Sequence, residues 1–169
     1  MLARRRFCRL PLPLLLAASL ASAGTYEASP QALASIRQNY AQVTALAAQG
    51  QLLQVKRDFG CLNALDSLRV IWKDGSGQIR KYLVQGGSSD SAATVSQFYG
   101  PDGRLSFALI EAGAVNGTNS ETRLYYGPAG NIVRMDEKTL RGPGYPFGPL
   151  WQRVVQFPEA AFNAPSPCL

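Results

Sequence analysis

Side chains able to perform acid–base chemistry are few in this sequence. The chain contains no histidine, which excludes Ser-His-Asp and Cys-His arrangements and the commonest general base at neutral pH. A pair of carboxylates could still hydrolyse a glycoside. The candidate acids are Glu111, Glu121, Asp136 and Glu137. Because each is expected at a strand end as a solvated charge, we assign no catalytic residue, and a carboxylate-dependent hydrolase is the least favoured alternative for the function.

Cofactor and metal sites are not indicated by the sequence either. No glycine-rich phosphate loop joins a predicted strand to a predicted helix. Two cysteines without any histidine make a poor metal ligand set, and Asp74 and Asp102 lie in turns without the Asp-rich ladder of a calcium site. We therefore predict no cofactor and no metal.

The N-terminal residues 1–23 have the pattern of a secretory signal peptide. Four arginines precede a short apolar core, Leu10–Leu20, and the small residues Ala21-Ser22-Ala23 form a cleavage site. The apolar run is shorter than the roughly 20 residues that span a bilayer, so we predict cleavage and no retained membrane span. The mature chain, residues 24–169, is predicted to be a single domain of an exported bacterial protein, either periplasmic or secreted.

Loss of the signal peptide changes the charge of the chain. The full sequence has 17 Lys and Arg against 11 Asp and Glu, and four of the arginines belong to the signal peptide, which leaves a mature net charge of +2. The remaining basic residues are scattered among the predicted strands, whereas a nucleic-acid site needs them clustered. We therefore exclude nucleic acid as a partner.

Two cysteines, Cys61 and Cys168, remain in the mature chain. Two thiols in an exported protein most often pair, so we predict a disulfide bond, with two free thiols as the alternative. The bond would close a loop of roughly 100 residues, for which chain-entropy models give about 4–5 kcal/mol of stabilisation.

A hairpin motif that occurs three times predicts the sheet. Each copy has an aromatic residue, one further residue, a four-residue turn ending in glycine, a polar residue and an aliphatic residue. The copies are Trp72–Ile79, Phe98–Leu105 and Tyr125–Ile132. The second turn has Pro, Asp and Gly where a type I turn and a following left-handed residue need them, the third turn repeats Pro and Gly, and the first turn lacks the proline. Three tandem hairpins predict an antiparallel meander from about residue 67 to 138.

One helix is predicted before the sheet. Ser29 is its N-cap, Pro30 its first residue and Gly50 its end. An apolar stripe follows helical spacing and consists of Leu33, Ile36, Tyr40, Val43 and Ala47. The predicted fold is α+β, with one N-terminal helix packed on a curved antiparallel β-meander of six to eight strands.

The Pro/Gly-rich tail, residues 139–169, differs in character from the meander. Gly142–Pro149 cannot form a central strand, because its prolines lack backbone donors. Residues 150–157 are predicted to form an edge strand or a short helix, with Trp151 packing the tail against the core.

The alternation of side chains predicts two faces for the sheet. The face covered by the helix takes the larger apolar set: Leu68, Val70, Trp72, Ile79, Leu83, Phe98, Leu105, Phe107, Leu109, Tyr125 and Ile132. The opposite face carries the candidate binding residues Tyr82, Tyr99, Tyr126, Arg80 and Arg104. These residues either stabilise the sheet by cross-strand pairing or form an exposed Tyr/Arg binding surface.

Several short motifs support a family resemblance. They are Ile36-Arg37-x-x-Tyr40, Phe98-Tyr99-x-x-x-Gly103-x-Leu105-x-Phe107, Glu121–Tyr126 and Gly130–Asp136. In this order they resemble a loose group of uncharacterised exported bacterial proteins with an I-R-x-x-Y helix and Y-Y-x-x-x-G-x-L hairpins, similar to YD-type repeats. The resemblance implies an exported helix-plus-meander domain and no particular activity.

These observations favour a non-enzymatic function. The leading hypothesis is an exported binding or interaction module whose partner is a protein, glycan or lipid of the cell envelope. The alternative is a periplasmic inhibitor or a lipid or protein chaperone, and a deep apolar cavity between helix and sheet would favour the lipid version. A hydrolase would require two acids that converge in one cleft.

Overall fold

The computed structural model of the protein describes residues 28–61, 64 and 66–168, so the predicted signal peptide lies outside the described residues. The elements in chain order are α1 (Pro30–Ala48), β1 (Leu53–Asp58), β2 (Leu68–Lys73), β3 (Ile79–Gly87), β4 (Ser91–Tyr99), β5 (Leu105–Ala114), β6 (Asn119–Tyr126), β7 (Ile132–Arg141), a 3-10 helix (Leu150–Arg153) and α2 (Pro158–Asn163). Neither α-helix described by the structure is long and apolar enough to cross a membrane.

The seven strands form one antiparallel sheet in which each strand pairs with the next along the chain. This arrangement confirms the predicted α+β meander. From β2 onward the strands pair in sequence order because short turns join them, and each turn fixes the register of its own hairpin.

The three predicted hairpins share one loop geometry. The backbone N–H groups of Asp74, Gly100 and Gly127 each donate to a carbonyl oxygen four residues later, at 2.8–2.9 Å. Each loop therefore has three residues, and the last of them is a glycine with a φ of 86°, 78° or 78°. A fourth loop of the same kind, ending at Gly117 with a φ of 84°, joins β5 to β6 and was not predicted.

The prediction of the two faces was wrong for the aliphatic residue that follows each turn. A four-residue loop would place this aliphatic side chain on the same face of the sheet as the aromatic residue before the turn. The three-residue loop shifts the register by one residue, so the aliphatic side chain lies on the other face. Ile79 and Leu105 consequently pack on the face opposite α1. Extra residues bulge out of the ladder one position later, at Arg80, Ser106 and Val133, and restore the predicted alternation.

Helix α1 lies on one face of the sheet as predicted. Ser29 Oγ accepts a hydrogen bond from the Ala32 N–H at 3.2 Å, and proline occupies the first turn. All five residues of the predicted apolar stripe pack in the core between α1 and the sheet. This helix-side core also contains the buried residues Leu52, Phe98, Phe107 and Tyr125.

The other face of the sheet is covered by the C-terminal strap, residues 150–168. Leu150, Val154, Val155, Ala161 and Phe162 pack on the second core cluster. The segment Gly142–Pro149 contains no strand, as predicted, and the short helix at residue 150 agrees with one of the two alternatives. The prediction for Trp151 was wrong, because the residue is 50% exposed and its neighbours Leu150, Val154 and Val155 pack on the core instead.

The strap ends beside the loop that follows β1. Cys168 and Cys61 lie at disulfide distance, with their Cα atoms 5.5 Å apart across 107 residues of sequence. This is the pairing that the sequence predicted. It ties the C-terminal end of the chain to the start of the sheet.

Candidate functional site

A row of aromatic and cationic side chains crosses the sheet beneath α1. The register places its members directly opposite one another on successive strands, from β2 to β7: Trp72, Lys81, Phe98, Phe107, Tyr125 and Arg134. Opposed residues of antiparallel strands have their Cβ atoms about 5 Å apart, which lets rings and cations stack on each other. The ring centroids of Phe107 and Tyr125 are 5.2 Å apart, and Lys81 Nζ lies 4.6 Å from the Trp72 ring.

Helix α1 places Arg37 and Tyr40 over this row. The two residues are one turn apart and so project from neighbouring positions of the helix surface. The Tyr40 ring meets Phe98 and Phe107 edge-on, with centroid distances of 4.8 and 5.0 Å. Arg37 Cζ lies 6.0 Å from the centroid of the Tyr125 ring.

These residues border a pocket between α1 and strands β5 and β6, which we call the arginine–tyrosine pocket. Its volume is about 160 Å³, and it is lined by Arg37, Tyr40, Phe107, Leu109, Arg123 and Tyr125. Arg134 contacts Tyr125 from the direction of β7, with its Cζ 5.8 Å from the ring centroid. The pocket thus has aromatic walls and guanidinium groups at its rim.

The guanidinium groups around the pocket differ in their partners. Arg123 Nε lies 2.7 Å from Glu121 Oε1, and Arg134 Nε lies 2.9 Å from Asp136 Oδ1. The hydrogen bond to Glu121 raises the pKa of Arg123. Within the described part of the chain, Arg37 has neither an ion pair nor a hydrogen bond, and its contact with Tyr125 leaves its N–H groups free. The pocket therefore carries a positive charge that the residues described by the structure do not neutralise.

Lys81 lies further along the row, between the rings of Trp72 and Phe98. Burial lowers the pKa of this lysine, and the charge of Glu111 acts in the opposite direction. Because the rings flank its ammonium group, Lys81 contributes mainly to packing of the row.

The predicted tyrosine surface is buried. Tyr82, Tyr99 and Tyr126 do share the face opposite α1, but the strap covers them and leaves 3%, 0% and 7% of each residue exposed. Burial raises the pKa of Tyr82 and of Tyr126 to about 12, and that of Tyr99 further still. The expectation of an exposed surface was therefore wrong, while a role of these residues in binding stays a prediction.

The two arginines assigned to that surface lie elsewhere. Arg80 is the bulged residue of β3 and points toward α1, where it donates to Asn39 Oδ1 at 3.1 Å and to the Tyr99 carbonyl oxygen at 3.3 Å. Arg104 lies in the β4–β5 turn and donates to the Pro128 carbonyl oxygen at 3.3 Å. Arg80 therefore meets Tyr99 through the backbone carbonyl oxygen and not through the hydroxyl group, which binds the strap.

The candidate carboxylates do not form a hydrolytic pair. Glu111 and Glu121 oppose each other on β5 and β6, but Glu121 is bound by Arg123, and Asp136 is bound by Arg134. Glu137 lies on the opposite face, in a cavity beside Trp151. No group of three or more potential metal ligands occurs among the described residues.

The residues of the pocket were visible in the sequence but were not interpreted as a site. Arg37 and Tyr40 belong to the helix motif, Phe107 to the second hairpin motif, and Arg123 and Tyr125 to the Glu121–Tyr126 motif. The signal was that three separate motifs each contain an arginine or an aromatic residue. Only the register shows that they meet.

The fold and site together define a helix-on-meander protein with a cationic aromatic pocket. Comparison with protein-family models, with curated proteins and with solved structures finds no match for this chain.

Proposed function

We propose that this protein is a non-enzymatic binding module of the bacterial cell envelope, and that it binds an anionic ligand in the arginine–tyrosine pocket. The predicted signal peptide and the cysteine pair at disulfide distance support the location. The observation that carries the proposal is Arg37, a guanidinium without a carboxylate partner in the described chain, at the rim of a pocket with aromatic walls.

The chemistry of the ligand follows from the lining. A guanidinium presents a planar set of N–H donors that matches a carboxylate or phosphate group. Tyr40, Phe107 and Tyr125 offer ring surfaces that favour a flat or apolar body. A cavity of about 160 Å³ has room for one ring or one side chain, so the ligand is a small aromatic anion or the acidic end of a larger partner.

The alternatives receive less support from the same region. The centre of the interface between α1 and the sheet is filled by the rings of Tyr40, Phe98 and Phe107, which meet edge-on or tilted, so this part of the interface does not favour an acyl chain. A hydrolase would need free acids in a cleft, whereas Glu121 and Asp136 are each bound by an arginine.

The test compares two probes of equal shape and different charge. Titration of the ¹⁵N-labelled protein with benzoate should shift amide signals of α1, β5 and β6 around the pocket, and neutral benzamide should not. Arg37→Gln should weaken benzoate binding about tenfold or more, because a hydrogen bond between charged groups contributes about 1.5–3 kcal/mol. Arg104→Gln is the matched control and should leave binding unchanged. Equal shifts with both probes, or equal affinity of the two variants, would contradict the proposal.

A further inference from the structure

The C-terminal strap is held to the sheet largely through its own backbone. Gln97 Oε1 accepts a hydrogen bond from the Val155 N–H at 2.7 Å, and Tyr99 Oη donates to the Val155 carbonyl oxygen at 2.8 Å. One residue of the strap is thus recognised at both its backbone donor and its backbone acceptor by side chains of β4.

Two arginines recognise the end of the strap in the same way. Arg57 donates to the carbonyl oxygens of Phe162 and Ala164 at 2.8 and 3.3 Å. Arg69 donates to those of Ala164 and Pro165 at 2.7 and 3.1 Å, while Asp66 binds its other N–H groups. Hydrogen bonds to the backbone bind a peptide segment whatever its sequence. Pockets for a few of its side chains then provide specificity.

Side-chain pockets for the strap are also present. Phe162 is buried in the core cluster with Tyr82, Tyr99 and Tyr126, and Val154 and Val155 pack against the same cluster. The strap does not satisfy every group of this face, because Gln97 is fully buried and its Nε2 donor has no partner in the described chain. A different occupant with a carbonyl oxygen at this point would gain a hydrogen bond.

We propose that the face opposite α1, which carries Tyr82, Tyr99 and Tyr126, is a peptide-binding groove that the chain occupies with its own strap. The partner of this groove is a peptide that is bound through its backbone and that has apolar residues at the positions of Val155 and Phe162. The cysteine pair at the end of the strap holds the internal occupant in place, and the Gly/Pro-rich segment 142–149, which is exposed except at Tyr145 and Phe147, links the strap to β7. This proposal is independent of the arginine–tyrosine pocket.

The experiment uses the full chain with a weakened strap and an intact groove. Both cysteines are replaced by serine and Phe162 by alanine, because the tethered strap has a high effective concentration that would otherwise exclude a competitor. A fluorescent synthetic peptide of residues 148–168, with serine in place of its cysteine, serves as the probe. We expect saturable one-to-one binding to this variant, at least tenfold weaker binding when the peptide carries Phe162→Ala, and no binding to the unmodified oxidised chain.

A second arrangement avoids any loss of folding in the variant. A protease site inserted between Pro143 and Gly144 is cut in the folded oxidised chain, so that the cysteine pair retains the strap until reductant is added. After reduction, the labelled peptide should replace the released strap while the amide signals of α1 stay unchanged. A groove that stays empty under these conditions, or a probe that binds the unmodified oxidised chain equally well, would overturn the proposal.

Discussion

At the scale of single residues, the arginines that the structure describes divide into those with internal partners and Arg37. Arg57 and Arg69 bind carbonyl oxygens of the strap, and Arg80 binds Asn39 and the Tyr99 carbonyl. Arg37 faces the Tyr125 ring and has no ion pair in the described chain. Charged side chains with internal partners maintain the fold, whereas a cation left unpaired at a pocket is available to a ligand.

The buried tyrosines predict how stability depends on pH. An unfolded tyrosine ionises near pH 10, whereas burial raises the pKa of Tyr82 and Tyr126 to about 12. Between these values the unfolded chain has released protons that the folded chain still binds, so stability is fully present below pH about 10 and falls as the pH rises toward about 12.

The measurement is denaturant unfolding at several pH values, together with tyrosinate absorbance of the native protein. Tyr82→Phe should reduce the slope of stability against pH above about 10. Equal slopes for the variant and the unmodified protein would contradict burial as the cause of the raised pKa.

At the scale of elements, the hairpin turns explain both the success and the error of sequence interpretation. The motif predicted each hairpin because Gly, Pro and Asp have strong turn preferences. The motif did not show whether Asp74 belongs to the loop or pairs with the residue that follows the loop. Because of this difference of one residue, the side chains of Ile79 and Leu105 lie on the face opposite the predicted one. The bulges then compensated, so that Leu83 and Phe107 had been assigned correctly.

Two glycines of one turn provide a matched test of this geometry. Gly77 has a φ of 86°, in the left-handed region, whereas Gly75 does not, and an added Cβ at either position meets nothing within 4 Å. Gly77→Ala should therefore lower the free energy of unfolding by about 1–2 kcal/mol through backbone strain alone. Gly75→Ala should leave it unchanged or raise it slightly, because alanine reduces the entropy of the unfolded chain. Equal effects in chemical denaturation would contradict the three-residue loop.

At the scale of the whole molecule, two separate segments cover the two faces of one sheet. Helix α1 was predictable, because its stripe has helical periodicity and its cap residues mark both ends. The tail was predicted to pack against the core, but its place on the sheet was not, because its 3-10 helix of four residues and α2 of six residues are too short for periodicity to show which face they cover. The tyrosines were therefore assigned to the correct face, but the prediction did not place the strap over that face.

The cysteine pair makes the strap part of the folded unit. Oxidation should give a mass about 2 Da below that of the reduced chain, since two thiol hydrogens are lost when the bond forms. Reduction should lower the free energy of unfolding by up to about 4–5 kcal/mol, because the bond closes a loop of about 100 residues. Two alkylatable thiols in the native protein, or unchanged stability on reduction, would contradict this role.

Inversion of the charge at residue 37 tests anion binding in the arginine–tyrosine pocket most directly. Arg37 is exposed on α1, and glutamate is a good helix former, so Arg37→Glu should preserve the fold. The measurement is a titration of both proteins with benzoate and with benzamidine, a cation of the same shape, followed by amide shifts at the arginine–tyrosine pocket. The unmodified protein should bind benzoate in preference to benzamidine, and Arg37→Glu should reverse that preference. If both proteins keep the same preference, the arginine–tyrosine pocket is not an anion-binding site.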